Sequence, residues 1–306
     1  MNSNKTKIIG VGGGAHNILM SISSNTIENA DYIVCNTDTI SLKKGQLQHK
    51  LQIGVAMTKG IGANGNVELG RLSAIESKDK IEQLFEENSK MAIFIAALGG
   101  GTGTGATPVM VQIAKERGLF TIVIVLIPFE FEGKKRYKTA QQGVVVLQKM
   151  ADFVLVIDNN KIQKAFGNIS FKSSFGKTDR AIGQFIKLLM PAASSKIESN
   201  AIKKIIEKIQ QDKSVYFGFG EAQGKFRERK AIEDALKNAL SYREDIDEVQ
   251  NVFLHIGFGN KEISIYEMAQ INETVVQNAG NDANIIISSA QDGSLCDSLS
   301  LVLLAS

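Results

Sequence analysis

The sequence predicts an α/β fold: a parallel-sheet, Rossmann-like domain, a central helix, and then a smaller α+β C-terminal domain. Three observations lead to this prediction. Strand-like apolar runs alternate with helical patterns through the first half of the 306 residues. Glycine-rich segments follow two of these runs. After Ser170 the order of helical and strand-like segments becomes mixed, as in an α+β domain.

In the first half, five apolar runs have the length and composition of buried parallel strands. They are Lys7–Val11, Asp31–Asn36, Met91–Leu98, Leu119–Ile127 and Phe153–Ile157. Helical periodicity begins near His16 and returns over Glu68–Asn88 and Val109–Arg117, and a glycine-rich loop is predicted at Gly54–Gly70. Strands and helices that alternate in this way form parallel βαβ units.

The second half has a less regular order of elements. Helices are predicted at Ala181–Met190, which Pro191 ends, at Ile197–Gln211 and at Arg229–Leu240. Strands are predicted at Val215–Gly220, Val252–Phe258, Ile263–Tyr266, Asn284–Ser288 and Leu299–Ala305. The predicted domains are therefore residues 1–172, a central connecting helix at 173–193, and residues 194–306.

Composition and charge exclude several classes of protein. Hydrophobic residues make up 43% of the chain, which excludes wholesale disorder. The net charge of +3 is too small to indicate binding to nucleic acid. The N-terminus is polar and no apolar run approaches the length of a membrane span. We therefore expect a cytoplasmic protein that neither binds nucleic acid nor inserts into a membrane.

The cysteines and histidines do not show the spacing of metal ligands. Cys35 and Cys296 are far apart, and we read them as two buried small side chains in a reducing compartment. His49 and His255 have no partner at a ligand-like spacing. No metal held by protein side chains is predicted.

The first glycine-rich segment, Gly10–Ala15, lies between a predicted strand and a predicted helix. Such a segment lets a phosphate approach the backbone amides at a helix N-terminus. Taken alone it also fits the dinucleotide pattern G-x-G-x-x-G/A, with Asp31 or Asp38 as the acid that binds ribose, or it is only a tight turn. His16, at its end, is expected to face solvent.

The second segment, Gly99–Gly105, has five glycines in seven residues, more than a plain connection needs. We expect its backbone amides to form a nest for an anion, with the hydroxyls of Thr102 and Thr104 as further donors. It lacks the Lys-Ser/Thr ending of a Walker loop. A helix is expected to begin after this segment, near Pro108. Gly103→Val should abolish nucleotide binding, because the valine side chain would fill the nest. Two such segments at strand ends suggest one polyphosphate held from both sides.

At this point the chain resembles a known family. Gly99–Ala106 matches the tubulin/FtsZ signature G-G-G-T-G-[ST]-G in its bacterial cell-division form, and Pro128–Arg136 is close to that family's ribose-contacting segment. The resemblance extends along nearly the whole chain. It implies a protein that binds GTP or GDP, with Mg²⁺ beside the triphosphate, and that assembles head-to-tail with itself, or with a co-polymerising FtsZ, in cell division or a related scaffold role.

The resemblance also assigns nucleotide-binding residues. It places Gly12, Gly13, Gly14 and Asn17 at the α- and β-phosphates, and Gly99, Gly100, Gly101, Thr102, Gly103, Thr104 and Gly105 on their other side. It places Asn36, Asp38, Gly62 and Ala63 in the second and third loops around the nucleotide. It also implies that Glu132 and Arg136 reach the ribose and that Asn159 meets the base or ribose edge. The alternative for Glu132 and Arg136 is a solvated surface pair.

The stretch that leads into the central helix departs from the family pattern. Aligned back from the helix, Phe171 takes the position that stacks on the base and Phe175 replaces the amide that binds guanine. Aligned instead on Phe175-Gly176, Asp179 takes the amide position. The first alignment removes a hydrogen-bond partner of guanine, which would weaken the preference for this base.

The loop after the central helix, which completes hydrolysis in trans in this family, also departs from the pattern Asn-x-Asp-x-x-Asp. Glu198 keeps one carboxylate and is the catalytic candidate, whereas Ala201 has none and Lys196 replaces the amide. Glu198 is equally read as an ordinary acid at a helix start, and a shifted frame that uses Asn200 supplies no acid. The sequence therefore leaves open a polymerising GTPase with weakened turnover and a non-hydrolysing scaffold. An NAD-dependent oxidoreductase is a remote alternative that rests on the first glycine segment alone.

Overall fold

The computed structural model describes residues 5–23, 30–44, 47–85, 89–166, 170–190, 215–241, 243 and 245–306. The chain divides into two compact units, Met1–Asn160 and Lys161–Ser306. Each unit has its own sheet and its own hydrophobic core. The predicted limits of a central helix at residues 173–193 stay a prediction.

The first unit is built on a sheet of parallel strands. Its described strands are β1 (Lys5–Val11), β2 (Ala30–Asn36), β3 (His49–Gln52), β4 (Ser89–Ala97), β5 (Phe120–Ile127) and β6 (Phe153–Asp158). Their order across the sheet is β3-β2-β1-β4-β5-β6. Every residue of β5 after Phe120 is buried, as expected for a strand covered on both faces. The order reverses between β1 and β4, and ligands of open α/β sheets bind beyond the carboxyl ends of strands at such a point.

The helices of this unit begin and end at different residues from those predicted. They are α1 (Gly13–Ser23), α2 (Thr39–Lys43), α3 (Val55–Thr58), α4 (Val67–Glu76), α5 (Lys78–Glu82), α6 (Gly101–Glu116) and α7 (Lys134–Met150), and α8 (Asn159–Phe166) crosses into the second unit. The predicted loop at 54–70 contains α3 and the start of α4, and the single helix predicted over 68–88 is interrupted at Ser77. The predicted helix start near Pro108 is wrong, because α6 begins at Gly101.

The second unit has a smaller, mixed sheet. Its described elements are α9 (Phe171–Leu189), β7 (Tyr216–Gln223), α10 (Arg227–Lys237), β8 (Asn251–Phe258), α11 (Ile265–Ala279), β9 (Asn284–Gln291) and β10 (Ser298–Ala305). The strand order is β7-β10-β8-β9, with β10 antiparallel to both neighbours and β8 parallel to β9. Helix α10 packs closely on β7 because Gly220 has no side chain: a Cβ there would lie 1.9 Å from the Ala231 carbonyl oxygen.

Two predictions in this unit need correction. The strand predicted at Ile263–Tyr266 is wrong, because Ser264 caps the helix that starts at Ile265. The Ser264 hydroxyl accepts from the Glu267 amide at 3.2 Å, and the Glu267 carboxylate accepts from the Ser264 amide at 2.8 Å. The helix predicted from Ala181 begins ten residues earlier, at Phe171. The predicted helix at 197–211 lies outside the described residues.

A buried histidine makes this unit sensitive to acid. His255 lies in β8, with Nδ1 2.8 Å from the Ser288 hydroxyl oxygen. Burial lowers the pKa of His255 to about 4; the charge of Lys187 acts in the same direction and that of Asp292 opposes it. The unfolded side chain titrates near pH 6.5, as in model peptides. The stability contributed by neutral His255 is therefore complete above that pH and is lost as the pH falls from about 6.5 to about 4.

We expect the free energy of unfolding to fall more steeply with acidification in the wild type than in His255→Gln. The difference should reach about 3 kcal/mol between pH 7 and pH 4, because a shift of one pKa unit corresponds to about 1.4 kcal/mol. Urea unfolding at pH 7, 5.5 and 4 measures this. His49→Gln, at an exposed position of β3, is the control and should keep the wild-type slope. Equal slopes for the wild type and His255→Gln would contradict the assignment.

Candidate nucleotide-binding site

Two helices begin next to each other at the carboxyl ends of β1 and β4. Gly12 follows β1 with φ +86°, and α1 begins at the next residue. The start of α6 follows β4, and a Cβ placed at Gly12 would lie 3.2 Å from the Gly103 amide nitrogen. The first four amides of a helix have no partner inside the helix, and its N-terminus carries a partial positive charge. The two starts together form a site suited to a polyphosphate.

Three of the glycines after β4 are needed for packing. A Cβ at Gly101 would lie 2.7 Å from the Asn66 carbonyl oxygen, and one at Gly105 would lie 2.0 Å from that of Val67. A Cβ at Gly103 would lie 2.5 Å from the Ala97 carbonyl oxygen. These residues belong to the first turns of α6 and do not form an open nest. The expected effect of Gly103→Val is corrected accordingly: the side chain would strike the end of β4 and disturb the fold.

Other glycines border open space. A Cβ at Gly13 or at Gly100 would meet no atom within 4 Å, so the protein itself does not require glycine there for packing. Gly14 differs, because a Cβ there would come within 2.6 Å of the Ala97 Cβ. Gly13 and Gly100 are the first residue of α1 and the N-cap of α6. They are therefore the positions at which a phosphate can approach both helix starts closely.

Both threonine hydroxyls of the second glycine segment are hydrogen-bonded within the protein. The Thr102 hydroxyl lies 2.7 Å from that of Thr37. The Thr104 hydroxyl accepts from the Gly99 amide at 2.9 Å and helps to fix the turn in which Gly99 has φ +90°. These contacts use an acceptor site of Thr104 and leave open which hydroxyl of the Thr37–Thr102 pair donates, so donation from both threonines to an anion stays a prediction. Thr37 was not among the predicted site residues.

The polar residues at the end of β2 and directly after it organise their own turn. Asn36 is buried, and its side-chain oxygen accepts from the amides of Thr37 at 2.8 Å and Asp38 at 3.3 Å. The Asp38 carboxylate caps α2, and its bonds to the hydroxyl and amide of Ser41 lower the pKa of Asp38. Both residues thus shape the loop in which the family resemblance placed them, and the carboxylate of Asp38 is committed to α2.

The acid needed for the dinucleotide alternative is not supplied by Asp31 either. Its carboxylate is paired with Lys7 Nζ at 2.8 Å. It lies five residues before the end of β2, about 16 Å from the carboxyl end of the strand. Neither Asp31 nor Asp38 therefore offers a free carboxylate to a ribose at this edge of the sheet.

The segment before α4 lies against the start of α6. Gly62 has φ +85°, and the amide of Ala63 donates to the Thr37 hydroxyl at 3.1 Å. The Ala63 Cβ would be 2.8 Å from a Cβ at Gly101. Asn17 is exposed in the second turn of α1. The structure thus brings the first, second and third predicted loops together around the two helix starts.

The segment after β5 also reaches the second glycine segment. Arg136 lies in the first turn of α7 and is paired with Glu132 at 2.9 Å. A Cβ at Gly99 would lie 2.7 Å from the Arg136 Cγ, so the stem of this arginine packs on Gly99. Lys134 and Lys135 precede it. Three cations at a helix N-terminus oppose the helix dipole, and a bound anion would offset that repulsion.

Asn159 is the buried polar group that best fits a ligand. Its side chain is buried, and its Oδ1 atom has no hydrogen-bond partner within the described residues. A buried acceptor without a donor costs about 1–3 kcal/mol, so such an atom indicates a missing partner. Its neighbour Asn160, in contrast, accepts from the Glu130 amide at 2.9 Å. A hydroxyl or N–H group of a nucleotide would satisfy Asn159.

The remaining predicted site residues lie elsewhere. Phe171 is the first residue of α9 in the second unit, and Phe175 lies one turn later. Their contact with a base stays a prediction, as does the choice between the two alignments. Lys196, Glu198 and Ala201 lie outside the described residues.

Two expectations about single side chains are wrong. His16 is buried in α1; burial lowers the pKa of His16, and the charge of Lys50 acts in the same direction. Cys35 is buried as expected, but Cys296 is exposed.

The described residues were also compared with the requirements of a metal site and of a membrane span. Within the described ranges, no group of three or more histidine, cysteine, aspartate or glutamate residues could hold a metal ion. None of the helices described combines the length and apolar character needed to cross a bilayer.

The fold and this site define a class: a doubly wound α/β nucleotide-binding unit followed by a unit with a mixed sheet. The family model "Tubulin/FtsZ family, GTPase domain" matches residues 5–167, and "FtsZ family, C-terminal domain" matches residues 213–306. The chain belongs to the tubulin/FtsZ family. Membership implies binding of guanine nucleotides and a role as an FtsZ-like cytoskeletal protein.

Individual relatives agree with this assignment. The chain is 30% identical to the cell division protein FtsZ of Pseudomonas aeruginosa, covering 98% of this chain and 76% of the relative. It is 31% identical to that of Buchnera aphidicola, covering 99% and 79%. A solved FtsZ dimer of M. jannaschii matches with a TM-score of 0.87 at 28% identity, covering 99% of this chain and 88% of the other.

Proposed function

We propose that this chain binds GTP and GDP at the starts of α1 and α6 and assembles head-to-tail into filaments in the cytoplasm, in cell division or a related scaffold role. The observation that carries the proposal is the convergence of two helix N-termini at the switch point, with open space at Gly13 and Gly100. Mg²⁺ would accompany the triphosphate and take most of its ligands from phosphate oxygens and water.

Contacts around the two helix starts support a whole nucleotide over a free phosphate. Arg136 and Glu132 carry charges that suit phosphate and ribose oxygens, and Asn159 offers an acceptor that has no partner within the described residues. We propose that Phe171 or Phe175 stacks on the base. If Phe171 stacks on the base and Phe175 replaces the amide, the preference for guanine over adenine would be weaker than in relatives that keep the amide.

Exposed apolar residues in each unit support self-association. In the first unit Ile40 and Ile61 are 68% and 72% exposed, and the bridge between Asp38 and Ile61 places them near each other. In the second unit Ile265 and Tyr266 are 91% and 67% exposed at the start of α11. Neighbouring exposed apolar side chains of this kind are candidates for interaction surfaces. Two different surfaces on one chain suit a head-to-tail contact, which builds open filaments. A co-polymerising FtsZ would use the same two surfaces.

We propose that the segment near Glu198 completes hydrolysis in trans and that turnover is slow. Glu198 would position the attacking water at the nucleotide of the next subunit. Ala201 supplies no carboxylate where the family has one, and the loss of such a positioned group typically lowers a rate by about 10²- to 10⁴-fold. A non-hydrolysing scaffold is the second candidate, and the same alanine favours it.

We expect Ala201→Asp to raise GTP turnover per subunit at least about tenfold, because it restores a positioned carboxylate. Phosphate release measured over a dilution series of protein tests this, together with GTP-dependent sedimentation. Turnover per subunit should rise steeply with protein concentration, since the catalytic group comes from the neighbouring subunit.

Glu198→Gln is the companion variant, and it should abolish the residual turnover while filaments still form. A wild-type rate that is already high would contradict slow hydrolysis. A turnover per subunit that does not change with concentration would contradict catalysis in trans. A folded protein without affinity for GTP or GDP would overturn the proposed function as a whole.

A further inference from the structure

Thr37 lies where three chain segments meet at the site. It is fully buried between β2 and α2. Its hydroxyl accepts from the Ala63 amide at 3.1 Å and lies 2.7 Å from the Thr102 hydroxyl in the first turn of α6. One hydroxyl therefore joins the loop after β2, the segment before α4 and the helix start proposed to bind phosphate.

The backbone of Thr37 and its neighbour Thr39 are also hydrogen-bonded to the segment before α4. The Thr58 hydroxyl shares its one hydrogen between the Gly54 carbonyl oxygen at 2.8 Å and the Thr37 carbonyl oxygen at 3.1 Å. The adjacent Thr39 donates through both its amide and its hydroxyl to the Gly60 carbonyl, at 3.0 Å and 2.8 Å. The segment 58–63 and the turn at 37–39 are thus joined by several hydrogen bonds.

The hydrogen-bonding capacity of a hydroxyl sets a direction for this chain of contacts. A threonine hydroxyl has one donor and two acceptor sites. The Ala63 amide can only donate, so it takes one acceptor site of Thr37. If Thr37 then donates to Thr102, the Thr102 hydroxyl keeps its own hydrogen for an anion at the start of α6. Hydrogen bonds arranged in series polarise one another and strengthen together.

We propose that Thr37 is a positioning residue of the nucleotide site. It fixes the Thr102 hydroxyl and the Ala63 segment relative to the start of α6, and it directs the Thr102 hydrogen toward a bound phosphate. The inference rests on the proposed function and deepens it, because it names a residue that does not touch the nucleotide and still sets the affinity for it.

The test compares single and double variants of the hydroxyl pair in GDP binding. We expect Thr37→Val and Thr102→Val each to lower the GDP affinity about tenfold, the size expected for one hydrogen bond to a charged group. The double variant should bind no more weakly than the weaker single variant, because both substitutions break the same chain. Isothermal titration calorimetry on nucleotide-free protein measures the affinity. The thermal midpoint of the same samples measures stability separately.

Matched variants separate positioning from a general loss of stability. Thr37→Ser keeps the hydroxyl and should stay within about twofold of the wild-type affinity. Thr107→Val removes another fully buried hydroxyl of α6, which donates to the Gly103 carbonyl at 2.6 Å, and should leave the affinity unchanged. If Thr37→Val does not fold, Thr37→Ala takes its place in the same comparison, because it also removes the hydroxyl that contacts Thr102 and Ala63.

Three results would overturn the inference: wild-type affinity in folded Thr37→Val or Thr102→Val, additive losses in the double variant, or an equal loss in Thr107→Val. A wild-type protein that does not bind GDP would instead refute the proposed function, so the two failures are distinguishable.

Discussion

Gly100→Val should weaken GTP and GDP binding about 100-fold or more while the protein stays folded. Gly100 has φ −96° and ψ 178°, a conformation that valine adopts readily, and a Cβ there meets no atom within 4 Å. The new side chain would occupy the space in front of the amides that start α6. Each lost hydrogen bond to a charged phosphate costs about 1.5–3 kcal/mol, and every 1.4 kcal/mol is about tenfold in affinity. Calorimetric titration with GDP measures the loss of affinity, and thermal unfolding shows whether the protein stays folded.

Two further glycine variants serve as controls. Gly293→Val places the same side chain at another glycine with open space around it, in the second unit, and should change neither affinity nor melting. Gly103→Ala should lower the melting temperature, because its Cβ would lie 2.5 Å from the Ala97 carbonyl oxygen. If Gly100→Val bound GDP as tightly as the wild type, the phosphate would not lie at this helix start.

The strands of the first unit could be predicted from the sequence because burial on both faces leaves a plain signal. Met91–Leu98 and Leu119–Ile127 are unbroken apolar runs, and they become β4 and β5 within two residues of the predicted limits. The two glycine segments likewise stand out by composition. Their approach to each other follows from the parallel order, since successive βαβ units bring carboxyl ends to one edge of the sheet.

Helix starts were harder to predict, because tertiary packing overrides local propensity. Glycine disfavours helix by about 1 kcal/mol per residue, so a helix that begins at Gly101 and contains Gly103 and Gly105 contradicts the local preference. Close packing between α4 and α6 requires glycine there: a Cβ at Gly70 would lie 2.2 Å from the Gly101 carbonyl oxygen. At α11 the signal was present but missed, since Ser264 and Glu267 have the spacing of a capping box.

Within the candidate site, the glycines could be predicted and the side-chain contacts could not. Periodicity and composition carry no information about which hydroxyl meets which amide across segments far apart in sequence, such as Thr37 and Thr102. The polar triplet at 36–38, which begins at the last residue of an apolar strand, was the one available signal for Thr37. The acceptor of Asn159 that lacks a partner within the described residues was likewise visible only in the structure.

The second unit contains an ion pair whose removal should have a large effect on stability. Arg227 is 1% exposed, and its Nε and Nη2 atoms bind the two Glu267 carboxylate oxygens at 2.8 Å and 3.3 Å. Its remaining N–H groups reach the carbonyls of Lys261, Glu262 and Asp297. The bonds from Arg227 lower the pKa of Glu267 to about 2. One arginine side chain thus joins α10, α11 and the segments before α11 and β10.

We expect Arg227→Met to lower the free energy of unfolding by about 3–5 kcal/mol at pH 7, because it leaves the Glu267 carboxylate buried without its partner. The pKa of Glu267 lies below its unfolded value, so the stability that the pair contributes is present above about pH 4.5 and is lost as the pH falls toward 2. In Arg227→Met the Glu267 carboxylate is buried without a cation, which favours its protonated form. The difference in the free energy of unfolding between the wild type and this variant should therefore become smaller as the pH falls from 7 to 4. Urea unfolding at both pH values measures this.

Arg229→Met is the matched control for this pair. Arg229 lies in the same helix and pairs with Glu233 at 3.0 Å, but the two side chains are 77% and 42% exposed. Solvent screens such a pair, so its loss should hardly change stability. The double variant Arg227→Met/Glu267→Gln should recover part of the lost unfolding free energy. The glutamine side chain carries no charge, and its oxygen can still accept from the backbone N–H of Ser264. Two results would contradict the view that Arg227 compensates the buried charge of Glu267. One is an equal loss of unfolding free energy in Arg227→Met and Arg229→Met. The other is a difference in unfolding free energy between the wild type and Arg227→Met that does not change with pH.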